Sequence, residues 1–171
     1  MTSARYVVLS LVLLMVCVSP VLAQQAPAAV PAAPAPPAPT PGPTMAEALK
    51  GLEAARGAAD KLGVKLSCAV VDSRGDLVAL TRMDGARFFT TDVARGKAQL
   101  SAMFGQPSGN LGNFAASPFF TNLNTSAQGR LFPVQGAIPI MRANQVLGAI
   151  GCSGATSQQD EDAAKAGLAT F

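Results

Sequence analysis

The chain contains no histidine and no tryptophan, one tyrosine, and three cysteines among its 171 residues. Without an imidazole there is no Ser-His-Asp triad, no His-ligated zinc, no imidazole general base and no His-ligated haem iron. Charge is also scarce. Only 13% of residues are charged and the net charge is +3, too little to argue for nucleic-acid binding. No apolar run is long enough to make a comfortable membrane span, which takes roughly 18–20 residues. What the chain does have is apolar content, 49% of it, and that excludes a wholly disordered polyelectrolyte. The length suits one domain of roughly 100–150 residues with additional segments.

The N-terminal pattern is that of an export signal over residues 1–23. Arg5 supplies the positive start, Tyr6 to Val18 the apolar core, and Val21-Leu22-Ala23 a small-residue cleavage site. Cys17 and Tyr6 are expected to leave with it. The mature protein is therefore expected in the periplasm or secreted, with no stable membrane span after processing. Residues 24–44 are low-complexity, with eight prolines between Pro27 and Pro43 and alanine in most gaps. Proline fixes φ and removes the amide donor, so this stretch reads as an extended polyproline-type linker. The folding domain is then 45–171, enough for one buried core. Its two cysteines, Cys68 and Cys152, are expected outside the reducing cytosol.

Within the domain, Thr44 to Glu47 fits a capping box. It opens an amphipathic helix with Leu49, Leu52, Ala55, Ala59 and Leu62 at helical spacing and Gly63 at its end. Leu66 to Val71 is apolar on both parities, the pattern of a central strand covered on both faces. Asp72-Ser73-Arg74-Gly75 is turn chemistry, and Leu77 to Met83 returns as a second strand. A second helix spans about Thr91 to Phe104, with Asp92 in its dipole-favoured first turn. The Gly-, Pro-, Asn- and Ser-rich stretch 106–129 is long for a structureless loop and is expected to hold a short helix or an ordered lid. Residues 136–141 and 146–152 form another hairpin, with Pro139 placing its strand near an edge. Ser157 is expected to cap a last helix carrying Asp160, Glu161 and Asp162 in its first turn, as helix-dipole partners. The order α-β-β-α-loop-β-β-α implies a mainly antiparallel sheet packed by helices rather than a Rossmann crossover.

Val70-Val71-Asp72-Ser73-Arg74-Gly75, Arg82-Met83-Asp84-Gly85-Ala86, and the run from Val146 to Ala155 with Gln159-Asp160-Glu161 carry a resemblance. Together with Lys97-Ala98 and Gly136 to Ile140, they make the domain resemble the GlcG/HbpS family. That family includes extracellular haem-binding proteins and is similar to the C-terminal region of PduO-type proteins. The resemblance implies an α/β (α+β) fold around a five-stranded antiparallel sheet flanked by helices, profilin/roadblock-like. It also implies homo-oligomeric assembly and, for some members, binding of haem or a related tetrapyrrole. In the studied haem-binding members a histidine takes part in the site, a role that no residue here can take. Gln135-Gly136 stands where the family often has paired glycines. In the family-like sheet the first strand lies beside the last, bringing Cys68 and Cys152 together; buried core thiols, a disulfide and a ligand role all remain open for them.

If haem is bound, the thiols and thioethers left for its iron are Cys68, Cys152, Met83, Met103 and Met141. Arg82, Arg87, Arg95, Lys97, Arg130 and Arg142 could receive carboxylates, with Asp84 and Asp92 as competing partners. The break Asp84-Gly85-Ala86-Arg87 after a strand can line a pocket. The expected ligand-binding set is Arg82, Asp84, Arg87, Lys97 and Met141, with no catalytic residue assigned. The leading expectation is an exported binding protein for haem or a related tetrapyrrole, with weak or non-histidine iron ligation. The alternatives are an enzyme or binding module for a small organic (hydroxy) acid such as glycolate, and a structural accessory protein of a sensor or enzyme complex.

Overall fold

A computed structural model describes residues 42–171; the expected signal segment, most of the expected linker, Tyr6 and Cys17 lie outside the described residues. Helix α1 spans Met45–Lys61 behind the capping box read from the sequence. Thr44 Oγ1 accepts the Glu47 amide at 3.2 Å and the Glu47 carboxylate accepts the Thr44 amide at 2.8 Å. Its buried face runs through Ala48, Leu52, Ala55 and Ala59, while Leu49 and Leu62, expected on that face, stand exposed. The stripe is narrower than the apolar spacing suggested, because the contacts are made by small residues close to the helix axis.

Strands β1 (Ser67–Asp72) and β2 (Leu77–Arg82) form the first hairpin, and β3 (Ala137–Arg142) and β4 (Gln145–Ser153) the second. All pairings are antiparallel, in the order β2-β1-β4-β3. As expected, the strand apolar on both parities is central and the strand holding Pro139 is at an edge, where its missing amide leaves no gap in the ladder. The sheet has four strands among the described residues, not the five that the resemblance implied. The stretch 106–129, expected to hold a short helix, holds a 3-10 helix over Ser108–Phe114 and then α3 (Pro118–Ser126). Its Gly, Asn and Ser are poor strand formers, while Ser117 caps α3 by accepting the Phe120 amide and Pro118 sits at the position where a helix needs no donor.

Helix α2 (Thr90–Phe104) covers one face of the sheet, and α1 with α4 (Ser157–Leu168) covers the other. Both faces depend on close backbone approach. A side chain at Gly151 of β4 would place its Cβ 2.6 Å from the Ala94 carbonyl of α2, and one at Gly167 of α4 would meet the Gly51 carbonyl of α1 at 2.8 Å. Helix α4 begins one residue earlier than expected. Thr156 is its N-cap and Ser157 its first helical residue, because the box requires Gln159 three positions on.

Candidate functional site

The residues singled out from the sequence do not converge. Ser67 pairs with both Arg82 and Ser153, whereas Asp72 pairs with Gly148 and Arg142 with Gln145, so these two groups mark opposite ends of the sheet. Arg82, Asp84 and Arg87 lie at the first end. Met141, 47% exposed, lies beside the β3–β4 turn at the second. A strand of this length separates the ends by about 20 Å. Arg82 donates from Nη1 to the Ala86 carbonyl at 2.9 Å, bracing the turn, and lines a shallow hollow of about 300 Å³ with Arg56, Asp60, Lys65, Met83 and Asp84. Arg87 borders a neighbouring cleft. Met141 therefore shares no site with this group.

Lys97 is no surface cation. It is 2% exposed, and its Nζ donates to Asp160 Oδ2 at 2.8 Å and to the Cys152 carbonyl at 3.3 Å. Asp160, 3% exposed, also accepts the Ala155 amide at 3.0 Å, so besides standing in the first turn of α4, as expected, it is a buried ion-pair partner. The pair ties α2 to α4 past the sheet. It also explains Gly136 locally: a Cβ there would sit 2.7 Å from Lys97 Nζ and 2.9 Å from the Cys152 carbonyl, at a φ of +137°.

The sulfur inventory narrows in the same way. Cys68 and Cys152 face each other across β1 and β4 and are joined by a disulfide with a Cα–Cα distance of 4.1 Å. Both are buried in the core under α1 and α4 and hold no free thiolate. Met83 accepts the Leu66 amide on its sulfur at 3.4 Å. Of the candidate ligands, only Met103 combines an exposed side chain with a concave setting that also holds cations.

That setting is a cleft of about 440 Å³ formed by the β1–β2 turn, one face of α2 and the segment after α3. Arg95, Gln99, Ala102 and Met103 fall at i, i+4, i+7 and i+8, one stripe of the helix. The turn contributes Arg74 and Gly75, pinned to α2 by Gln99 Nε2 donating to the Gly75 carbonyl at 3.0 Å. The opposite wall carries Ala127, Arg130 and Leu131. Its course is fixed by left-handed Gln128 and Gly129 and by Asn124 accepting the Leu131 amide at 2.9 Å. Arg130 donates to the Ala127 carbonyl and to Gln128. Gly96 allows this wall to come close, since a Cβ there would fall 1.9 Å from the Arg130 carbonyl.

The cleft thus gathers three guanidinium groups over an apolar floor, with no carboxylate in its lining. Arg74 pairs outside it with Asp76 at 3.2 Å, where both side chains are well exposed and the pair is weak. Arg95 Nε is buried with no hydrogen-bond partner, the one such side-chain atom among the described residues. A buried donor left unsatisfied costs about 1–3 kcal/mol, and an acceptor arriving from outside would recover that cost. Arg95, Met103 and Arg130 were each visible as candidates in the sequence. Arg74 and Gln99 were not, although the Arg95–Gln99–Met103 spacing on one helix was the signal that could have found the stripe. Among the described residues no cluster of three or more Cys, Asp or Glu could hold a metal ion, and no helix is long and apolar enough to cross a membrane.

Residues 44–169 match the family model described as "Haem degrading protein HbpS-like". The chain is 29% identical over 130 residues to an uncharacterized 15.0 kDa protein in the dhaT-dhaS intergenic region of Citrobacter freundii, covering 75% of this chain and 91% of that protein. A crystal structure of a Streptomyces reticuli HbpS double mutant superposes with a TM-score of 0.69 at 28% identity, covering 85% of this chain and 99% of the other. A PduOC–haem complex superposes with a TM-score of 0.67 at 24% identity, covering 76% and 95%, and shares the fold.

Proposed function

Since the chain belongs to the HbpS-like family, with the match running from residue 44 to 169, we propose that it binds haem or a related tetrapyrrole in the Arg74–Arg95–Arg130 cleft. The observation that carries the reading is the buried, unpartnered Nε of Arg95 in a cationic cleft with an apolar floor. A tetrapyrrole brings a flat apolar body and two carboxylates. Ala102, Met103, Ala127 and Leu131 offer contact to the first, and the three arginines offer charge-assisted hydrogen bonds to the second. Met103 supplies the thioether within reach of such a guest, a soft ligand for iron. The bound group would bring its iron's redox and ligand-binding chemistry. The protein's own residues hold the carboxylates, cover one macrocycle face and exclude water from it. Affinity comes from burial and ion pairs, with axial ligation weak because no imidazole exists in the chain. The same reading has residues 1–23 direct export to the periplasm or medium and the domain work there as an oligomer.

Titrating the protein with hemin and following the Soret band tests this. The expected result is saturable binding with a small band shift. Arg95→Ala and Arg130→Ala should each weaken binding about tenfold, and a porphyrin dimethyl ester should bind far less tightly. Equal binding of the ester, or no effect of Arg95→Ala, overturns the assignment. Thermal stabilisation by hydroxy acids but not by hemin would overturn it in favour of the organic-acid reading.

A further inference from the structure

At the Arg82 end of the sheet, a second cleft has no part in the tetrapyrrole reading. Its mouth, about 490 Å³, is bordered by Lys65 from the α1–β1 connection, Gly85 and Arg87 from the β2–α2 connection, and Gly154, Thr156 and Gln159 around the start of α4. It continues into a narrow recess of about 90 Å³ that shares Arg87 and Gly154 and adds Thr90 and Ser153.

The polar groups of this recess are unequally satisfied. Thr90 donates to the Arg87 carbonyl at 2.6 Å and shares a 2.8 Å hydrogen bond with Ser67, so its one proton is already used. Ser153, paired with Ser67 across the sheet and 6% exposed, has no side-chain partner among the described residues. The Arg87 guanidinium likewise has none, whereas Lys65 is held by Asp60 at 3.5 Å and Arg82 by the Ala86 carbonyl. Asp60 and Asp84 line the adjoining hollow and not this cleft, and the carboxylate of Asp160, next to Gln159, is taken up by Lys97 and the Ala155 amide. Helix α4 adds the positive end of its dipole at the rim.

We propose that this recess is a binding site for the carboxylate of a short organic acid. The Ser153 hydroxyl and the Arg87 guanidinium hold the head group, and Lys65 and Gln159 at the wider mouth meet a polar tail. The recess volume admits a group of a few heavy atoms, since one water takes about 30 Å³ of liquid. A macrocycle is too large for it, so the site is separate from the arginine cleft.

The test is a titration of the full chain with acetate, lactate and inorganic phosphate, followed by amide chemical shifts. Saturable shifts at Arg87, Ser153 and Gly154 are expected with lactate binding tightest, at a Kd of about 1 mM or below. Arg87→Ala should weaken lactate at least tenfold and Ser153→Ala about threefold, while Arg95→Ala leaves it unchanged. Because Arg87 and Ser153 lie at the sheet end, an unchanged thermal midpoint in both variants separates loss of binding from loss of fold. Phosphate binding tighter than lactate overturns the carboxylate assignment. Absence of saturable shifts, or full binding in Arg87→Ala, overturns the site.

Discussion

Reducing the Cys68–Cys152 bond should cost the domain a large share of its stability without dismantling its sheet. The two residues are 84 positions apart, so the bond closes most of the domain into one loop. The chain-entropy relation for a loop of that length gives about 4.6 kcal/mol at 25 °C, chiefly by restricting the unfolded chain. In the folded state the loss is small. Both sulfurs stay buried between α1, α4 and the sheet, and the β1–β4 ladder continues on either side of them. For a domain of this size the loss corresponds to about 15 °C in thermal midpoint. Urea unfolding with and without dithiothreitol, equilibrated through the transition so that the buried bond is accessible, measures it. The expected result is a midpoint moved to lower urea and a steeper dependence on urea for the reduced protein, whose unfolded state exposes more surface. A difference below about 1 kcal/mol would refute the argument, showing that the bond either fails to form or closes a loop already restrained in the unfolded chain.

Three further outcomes follow from the same geometry. Asp160→Asn leaves Lys97 buried without a counter-charge and should cost about 3–5 kcal/mol in chemical denaturation, whereas Lys97→Met with Asp160→Leu should recover most of it. Gly96→Ala drives a methyl group into the Arg130 carbonyl; the wall must move, stability should fall by about 1–3 kcal/mol, and hemin binding should weaken with it. Glu47 has its pKa lowered, first by the Thr44 amide, then by the Thr44 hydroxyl and Arg142. A depressed carboxylate stabilises above its unfolded value and loses that contribution as pH falls through the folded one. The protection factors of the first-turn amides of α1 should therefore fall as pH drops through the lowered Glu47 value, and Thr44→Ala should move the onset to higher pH.

Local chemistry was legible in the sequence and tertiary pairing was not. The Thr44 box, the doubly apolar β1 and the edge position of Pro139 each follow from a rule acting within a few residues, and each appears in the fold. The same locality explains the one-residue displacement at Thr156, where two adjacent hydroxyl residues compete and only one has Gln159 at the right spacing. Leu49 and Leu62 misled because helical periodicity locates a face but not its width. Lys97 falls in the expected ligand-binding set because its partner, Asp160, lies 63 residues away on a helix across the sheet. Met141 and Arg82 carry no sequence signal that separates them, and it is strand register that puts them at opposite ends of the sheet. The arginine cleft is drawn from three separate segments, so its members were visible one by one and their meeting was not.

The most direct measurement is the amide spectrum of the protein as hemin is added, since the paramagnetic iron broadens signals near wherever it sits. Broadening should begin at Arg74, Gly75, Gln99, Met103 and Arg130 and leave Arg87 and Gly154, at the Arg82 end of the sheet, sharp. Broadening centred at that other end of the sheet, or none at saturating hemin, would contradict the assignment of the tetrapyrrole to the arginine cleft.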